Sequence, residues 1–297
     1  MYKTNRLYIL FNTWLSRIRG GFLLSSIPSL RKFVGTEIPI QIQQGLQWDV
    51  INANGVRCEW IGPPNAQSDA VLLYLHGGGG VLGLSNLHRN LVGYISSDCN
   101  LRCLIPDYRL APENPFPIGL NDCLAAYSWL LTQGFDPGRI GIAGDSAGGY
   151  LTLSCLLAIR DAGLPLPAAA ICISPNTDPT CTGQSMKTNA RRDAWLSPKF
   201  AKTMMHHYVN NHDLDDPHLS PLIADLHGLP PILIHAGANE ILLNDSTRFY
   251  DHAKSAGVDV TLDIWPNMWH DWHVCVPSLL EANQAIDQIS KFVKEHI

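Results

Sequence analysis

Short apolar runs alternate along the chain with longer segments in which apolar residues recur at helical spacing. The runs at 46–51 and 56–61 predict two strands, and the Asn-Gly pair between them favours a hairpin turn. Further near-continuous apolar runs predict strands at 70–75, 101–105, 139–143, 169–173, 231–235 and 258–265. Runs of this kind are typical of parallel strands that helices cover on both faces.

Helical patterns fill most of the intervals between these strands. They predict helices at 88–99, 118–133, 147–161, 246–256 and 278–295. Alternating strands and helices favour a doubly wound α/β sheet. We therefore expect an eight-stranded, mostly parallel sheet with an antiparallel hairpin at its start and helices on both faces.

Two segments do not fit this alternation. Residues 1–45 precede the first strand, and 174–229 separate two successive strands by far more than an ordinary crossover, with a helix predicted at 198–210. We expect both to form a helical cap over the carboxyl ends of the strands, where ligands bind in open α/β sheets. The α/β core would then comprise 46–173 and 230–297. A surface loop is the alternative for 174–229.

Composition narrows the class of protein. The chain has 297 residues, 46% of them apolar and 16% charged, with a net charge of -5 and no block of like charge, which excludes disorder and a nucleic-acid footprint. The apolar stretch 7–15 is interrupted by Asn12 and Thr13 and is shorter than the roughly 20 residues of a membrane span, so stable membrane insertion is not expected. Eight scattered cysteines without a C-x-x-C pair favour reduced thiols and a cytoplasmic location.

The strongest local signal is a G-x-S-x-G motif at 144–148, centred on Ser146. It follows the strand at 139–143 directly and opens the next helix, the setting of a nucleophile elbow. Such a turn exposes the Ser146 hydroxyl at a helix N-terminus, where the helix dipole favours developing negative charge. Without this setting, the motif would indicate only a turn of small residues.

A run of four glycines, 77–80, follows His76 immediately after the strand at 70–75. Glycines leave their backbone N–H groups accessible, and such donors stabilise a tetrahedral oxyanion by roughly 2.7–4 kcal/mol each. In nucleophile-elbow enzymes the oxyanion site combines this loop with the N–H of the residue after the nucleophile, here Ala147. The run therefore predicts the oxyanion site.

A serine nucleophile needs a histidine base and an acidic residue that orients it, expected in the chain order Ser, Asp/Glu, His. His270 follows the last predicted strand, at its carboxyl end, and His273 is the competing base. Glu240 and Asp245 both follow the strand at 231–235. Asp245 is also placed to cap the helix predicted to begin near 246.

Three motifs together resemble the hormone-sensitive-lipase-like family of bacterial esterases with a GDSAG-type elbow, within the α/β-hydrolase superfamily. They are HGGG at 76–79, DYRLAPE at 107–113 and GDSAGG at 144–149. The resemblance implies that Gly78 and Gly79 bind the oxyanion and that His270 is the base. It also favours Glu240, followed two positions later by a leucine, as the acid. The stretch 107–113 is then scaffolding, and Gly80 stands where many relatives carry an aromatic residue, which predicts a wider pocket mouth.

These observations predict a serine carboxylesterase that hydrolyses short- to medium-chain acyl esters through an acyl-enzyme on Ser146. No metal or organic cofactor is expected, because the sequence has no H-E-x-x-H motif and no paired Cys/His spacing. The expected partner is a small-molecule ester, and the resemblance adds a homodimer through the last strand. A non-catalytic binding protein or receptor on the same fold is the alternative, as is a hydrolase of another acyl bond.

Overall fold

The computed structural model describes residues 27–36 and 43–297, so most of the predicted cap segment 1–45 lies outside the described residues. Their strands form one eight-stranded sheet in the order β1-β2-β4-β3-β5-β6-β7-β8. The strands are β1 Gln47–Ala53, β2 Val56–Gly62, β3 Gln67–Leu75, β4 Leu101–Pro106, β5 Ile140–Asp145, β6 Ala169–Ile173, β7 Ile232–Gly237 and β8 Val260–Trp265. β2 pairs antiparallel with β1 and β4, and the other neighbours are parallel. The predicted α/β sheet is confirmed.

The described α-helices lie mainly between the strands, as the alternation predicts. They are α1 Ile27–Thr36, α2 Asn86–Cys99, α3 Ile118–Thr132, α4 Ala147–Asp161, α5 Ser185–Thr188, α6 Pro198–Val209, α7 Leu243–Ser255 and α8 Leu280–His296. Short 3₁₀ turns occur at Pro137–Arg139, Pro221–Ile223 and Trp272–Cys275. No described helix is long and apolar enough to cross a membrane.

The central strands are apolar on both faces because each face packs against helices. In β3, Val71, Leu73 and Leu75 join a core cluster with α3, α4 and α7. Leu72 and Tyr74 point the other way, into a second cluster with α2 and α8. Alternate side chains of a strand point to opposite faces. The apolar runs in the sequence are continuous because odd-numbered and even-numbered residues of a strand are buried on opposite faces of the sheet.

The first two strands form the predicted hairpin. Ala53 pairs with Val56 at its end, and Asn54 and Gly55 turn the chain with φ of 51° and 94°. Two positive φ angles define a type I′ turn, whose twist matches that of antiparallel strands. The Asn-Gly pair is therefore at the position that its conformational preferences suit.

The helix expected to begin near 246 begins at Leu243, and Asp245 is not its cap. Asp245 lies in the first turn of α7, and its carboxylate accepts hydrogen bonds from the amides of Thr177 (3.0 Å) and Asp178 (3.2 Å). The capping prediction was wrong because the Asp245 carboxylate binds backbone amides at the start of the 174–229 insertion. It therefore holds that segment against α7.

The 174–229 insertion contains α5 and α6, and α6 packs into the core cluster next to the glycine run. From the N-terminal segment, Arg31 of α1 donates to the carbonyls of Val81 and Ala111 (2.7 Å each) and forms an ion pair with Glu113 (2.8 Å). Asp107 pairs with Arg57 at 3.4 Å. The motif at 107–113 thus makes structural contacts, while the division of the chain into core and cap stays a prediction.

Candidate active site

Ser146 lies at the sharp turn between β5 and α4. Its backbone has φ of 53° and ψ of -116°, a sparsely populated conformation for a residue with a side chain. The Ser146 amide donates to the carbonyl of Ile173 (2.8 Å), which ties the turn to β6. A Cβ added to Gly148 would overlap the carbonyl of Leu75. The glycine therefore lets α4 approach β3 closely enough to leave the Ser146 hydroxyl at the helix N-terminus.

His270 lies beside this serine. Its Nε2 atom is 2.9 Å from Ser146 Oγ, and the imidazole is 3% exposed. The histidine belongs to the loop that connects β8 to the 3₁₀ turn Trp272–Cys275. The competing base, His273, is buried against His235, with 3.1 Å between its Nε2 and the Nδ1 of His235. The structure therefore brings His270, rather than His273, to Ser146.

Glu240 is buried on the opposite side of the His270 ring. Its Oε2 atom is 3.8 Å from His270 Nδ1, which is too long for a hydrogen bond, and accepts a 2.6 Å bond from Ser174 Oγ. Hydrogen bonds between such groups are often long in ligand-free enzymes and shorten when substrate binds. The Asn189 side chain holds the Glu240 carbonyl at 2.9 Å. Asp245 binds the 174–229 insertion instead, so Glu240 is the acid that faces His270.

Opposing effects act on the pKa values of this pair. Burial lowers the pKa of His270, but the negative charges of Asp271 and Glu240 outweigh burial and raise it well above its usual range. Burial raises the pKa of Glu240, and the neighbouring His270 and Ser174 oppose that rise. An imidazolium enclosed by two carboxylates is strongly stabilised. The site therefore suits a histidine that becomes protonated during a reaction.

Glycines 78 and 79 form a tight turn beside Ser146, with φ of 108° and 66°. The Gly78 carbonyl accepts from the amides of Val81 (3.1 Å) and Leu82 (2.8 Å). Next to them, the Gly77 amide donates to Asp145 Oδ1 at 3.1 Å, so the glycine run is held directly by the residue before Ser146. The side chain of the residue before Ser146 thus holds the start of the glycine loop whose next two amides are predicted to bind an oxyanion.

A narrow pocket opens next to these glycines. It is lined by Gly79, Gly80, Ala147, Tyr150, Leu151, Asn176, Met205 and Tyr208. Its cavity measures only about 10 Å³, about the space that one water molecule needs. The wider mouth predicted from Gly80 was wrong, because a Cβ at Gly80 would overlap the ring of Tyr208. An aromatic side chain from α6 occupies the space that a residue at position 80 leaves open.

Several residues around the site were not found from the sequence. Ser174 Oγ bridges Glu240 and the amide of Asp271 (3.3 Å). The Asp193 carboxylate accepts from the amide of Ile241 at 2.9 Å and so holds the loop that carries Glu240. Asp271 Oδ2 lies 3.1 Å from His270 Nε2. None belongs to a motif, and only the folded chain brings them together. The described residues include no group of three or more histidine, cysteine or acidic side chains placed to hold a metal ion.

The eight-stranded sheet and the serine–histidine pair at the turn after β5 are typical of α/β hydrolases. Comparison with known proteins gives the same class. Residues 72–274 match the family described as alpha/beta hydrolase fold. An acetyl-hydrolase of Streptomyces hygroscopicus is 42% identical over 246 residues, covering 83% of this chain and 82% of that protein. The chain belongs to the α/β-hydrolase family, in its hormone-sensitive-lipase-like branch of esterases.

Solved structures show the same relationship. An esterase from the bacterial hormone-sensitive lipase family superposes with a TM-score of 0.90 at 42% identity, covering 92% of each chain. EstE5, in crystals soaked with p-nitrophenyl butyrate, superposes with a TM-score of 0.88 at 44% identity, covering 91% of each chain. The resemblance drawn from the three motifs is confirmed.

Proposed function

We propose that this protein is a serine carboxylesterase in which Ser146 is the nucleophile, His270 the general base and Glu240 the orienting acid. The observation that carries the proposal is the 2.9 Å contact between His270 Nε2 and Ser146 Oγ at the turn before α4. Nucleophile and base within hydrogen-bond reach, with a third group behind the base, are the arrangement that activates a serine.

The reaction proceeds in two acyl-transfer steps. His270 accepts the Ser146 proton as the hydroxyl attacks the ester carbonyl, and the imidazolium then gives the proton to the departing alcohol. Water attacks the acyl-enzyme by the same route and releases the acid. Glu240 holds the ring and stabilises its positive charge.

The carbonyl oxygen becomes negatively charged in both steps. We infer that the amides of Gly78, Gly79 and Ala147 bind it, which is supported by the tight turn at the two glycines and by the start of α4 at Ala147. Donors fixed in advance need no reorganisation when the charge develops, which is why they lower the barrier.

The proposed substrates are esters with short to medium acyl chains. The small cavity beside Gly79, about 10 Å³ and lined in part by Met205 and Tyr208, supports the short end of this range. The name of the Streptomyces relative, an acetyl-hydrolase, and the p-nitrophenyl butyrate used with EstE5 support the short end of this range.

The test is hydrolysis of p-nitrophenyl esters of increasing chain length by the wild type and Ser146→Ala. We expect turnover of acetate and butyrate, loss of at least about 10³-fold in Ser146→Ala, and labelling of Ser146 by an organophosphate. A non-catalytic binding protein would neither hydrolyse these esters nor react with the organophosphate. A labelled serine with turnover of amides or thioesters only would instead indicate a different acyl bond as substrate.

Assembly and location are further parts of the proposal. We infer a homodimer through β8, which is an edge of the described sheet and exposes Ile264; light scattering of the wild type and Ile264→Lys tests it. A cytoplasmic location is supported by the eight cysteines, all of which are unpaired thiols.

A further inference from the structure

Two side chains lie within hydrogen-bond distance of the same ring nitrogen, His270 Nε2. Ser146 Oγ lies at 2.9 Å and Asp271 Oδ2 at 3.1 Å from this nitrogen. A neutral imidazole accepts the serine proton at Nε2, whereas a protonated imidazole donates from Nε2 to a carboxylate. The same atom therefore alternates between activating Ser146 and pairing with Asp271.

The backbone holds Asp271 in this place. Its φ of 53° is left-handed, a conformation that only glycine, asparagine and aspartate adopt readily. Its amide donates to Ser174 Oγ at 3.3 Å, and Ser174 in turn binds Glu240. The side chain is 12% exposed, and its Oδ1 atom has no hydrogen-bond partner among the described residues. The carboxylate thus has little access to solvent, and its charged neighbour is the imidazole.

Other titratable groups surround the pair on every packed element. Glu240 faces Nδ1 of His270, and Asp145 and His88 act on Asp271 from β5 and α2. Tyr74 of β3 interacts with Asp271, and His273 of the 3₁₀ turn interacts with His270. Asp193 acts on Glu240, and His76 and Arg89 lie in the surrounding shell. Asp145 is itself satisfied by Tyr74 (2.8 Å) and lies 3.6 Å from His88. Asp271 is therefore the carboxylate that meets Nε2 directly.

We propose, building on the proposed function, that Asp271 is a positioning residue that pairs with Nε2 of protonated His270 and so sets the lowest pH at which Ser146 is activated. Below that pH the imidazolium donates to Asp271, and the serine hydroxyl has no base. Above it, the proton leaves to solvent, Nε2 turns to Ser146, and the esterase becomes active.

The direction of the effect follows from charge. A carboxylate beside an imidazolium favours the protonated form, so it raises the pKa of His270 against the opposing effect of burial. Burial also raises the pKa of Asp271, which His270 counteracts. Removing the Asp271 charge lowers the pKa of His270, and the acidic limb of activity moves to lower pH.

The test is the pH dependence of kcat/KM for p-nitrophenyl acetate in the wild type and in Asp271→Asn. Asparagine keeps the size and tolerates the left-handed backbone. We expect the midpoint of the acidic limb to fall by about 1 to 3 pH units, the usual effect of one close opposite charge. The rate of Ser146 labelling by an organophosphate should follow the same shift. Asp98→Asn, an exposed carboxylate on α2, is the matched control and should keep the wild-type midpoint.

Asp271→Gly, which also suits the backbone, provides a second variant that should shift the midpoint in the same direction. An unchanged midpoint in both folded variants would overturn the proposal. NMR titration of the His270 ring gives the same answer without turnover. The pKa of His270 could differ between the wild type and the Asp271 variants while the wild type hydrolyses no ester. That result would refute the proposed function and leave the pairing of Asp271 with His270 standing.

Discussion

Tyr208 closes the pocket beside Gly79 and Gly80, so its replacement by alanine tests what limits acyl-chain length. The ring is 3% exposed and packs edge-on against Tyr150, with ring centroids 5.5 Å apart. The cavity next to it measures about 10 Å³. Removing the ring opens a space that is continuous with this cavity and adjoins Leu151 and Met205.

The magnitude follows from the methylene groups that the new space buries. Each buried CH₂ contributes about 0.8 kcal/mol, or about fourfold in kcat/KM. A hexanoyl chain has four more methylenes than an acetyl group. Burying all four in Tyr208→Ala would raise the ratio of hexanoate to acetate turnover by about 200-fold.

The assay compares kcat/KM for p-nitrophenyl acetate and hexanoate in the wild type, Tyr208→Ala and Tyr208→Phe. The phenylalanine variant keeps the ring against Gly80, so its chain-length ratio should stay within about twofold of wild type. Losing the ring costs about 3–5 kcal/mol of stability, so a thermal melt must first show that Tyr208→Ala is folded. A folded alanine variant with the wild-type ratio would show that Tyr208 does not limit the chain.

Two further predictions concern stability. Burial lowers the pKa of His235 to about 3, and burial together with the neighbouring histidines lowers the pKa of His273 well below its usual value. The folded state therefore binds fewer protons than the unfolded chain, and the free energy of unfolding falls as pH drops from about 6.5, by about 1.4 kcal/mol per pH unit per histidine. Urea titrations at several pH values should show that the free energy of unfolding of His235→Gln depends less steeply on pH than that of the wild type. An equal pH dependence would contradict this prediction. Arg89→Met removes two side-chain hydrogen bonds to Glu59 (2.8 Å each), which is 1% exposed, and leaves Arg57, at 2.9 Å, as its charged partner. We expect a loss of about 1.5–3 kcal/mol by chemical denaturation. Combining it with Glu59→Gln should restore part of that loss, and no recovery would argue against a charge effect.

Features that depend on local pattern were predicted well. The strands follow from apolar runs that serve two faces, and the hairpin follows from Asn54 and Gly55, whose backbone preferences are intrinsic. Ser146 and His270 could be expected to lie close together because each follows a strand, and the carboxyl ends of parallel strands meet at one edge of the sheet. Their proximity then required only the strand order.

Features that depend on distant partners were missed or misread. Asp245 has the right residue type for a helix cap, but its carboxylate binds the amides of a loop that is remote in sequence. The prediction of a wider pocket mouth at Gly80 was wrong because the ring of Tyr208, from α6, lies where a side chain at position 80 would lie. Asp271 carries no motif, and its contact with Nε2 exists only because a left-handed turn folds it back over the imidazole.

The attachment of α6 has a consequence for how such a protein diversifies. The residues that would perform the chemistry are held by contacts within the core, such as the Gly77 amide on the Asp145 carboxylate and the Ser146 amide on the Ile173 carbonyl. The pocket wall, by contrast, is supplied by the side chains of Met205 and Tyr208. A substitution at Met205 or Tyr208 therefore changes the shape of the pocket without touching the contacts that hold Ser146.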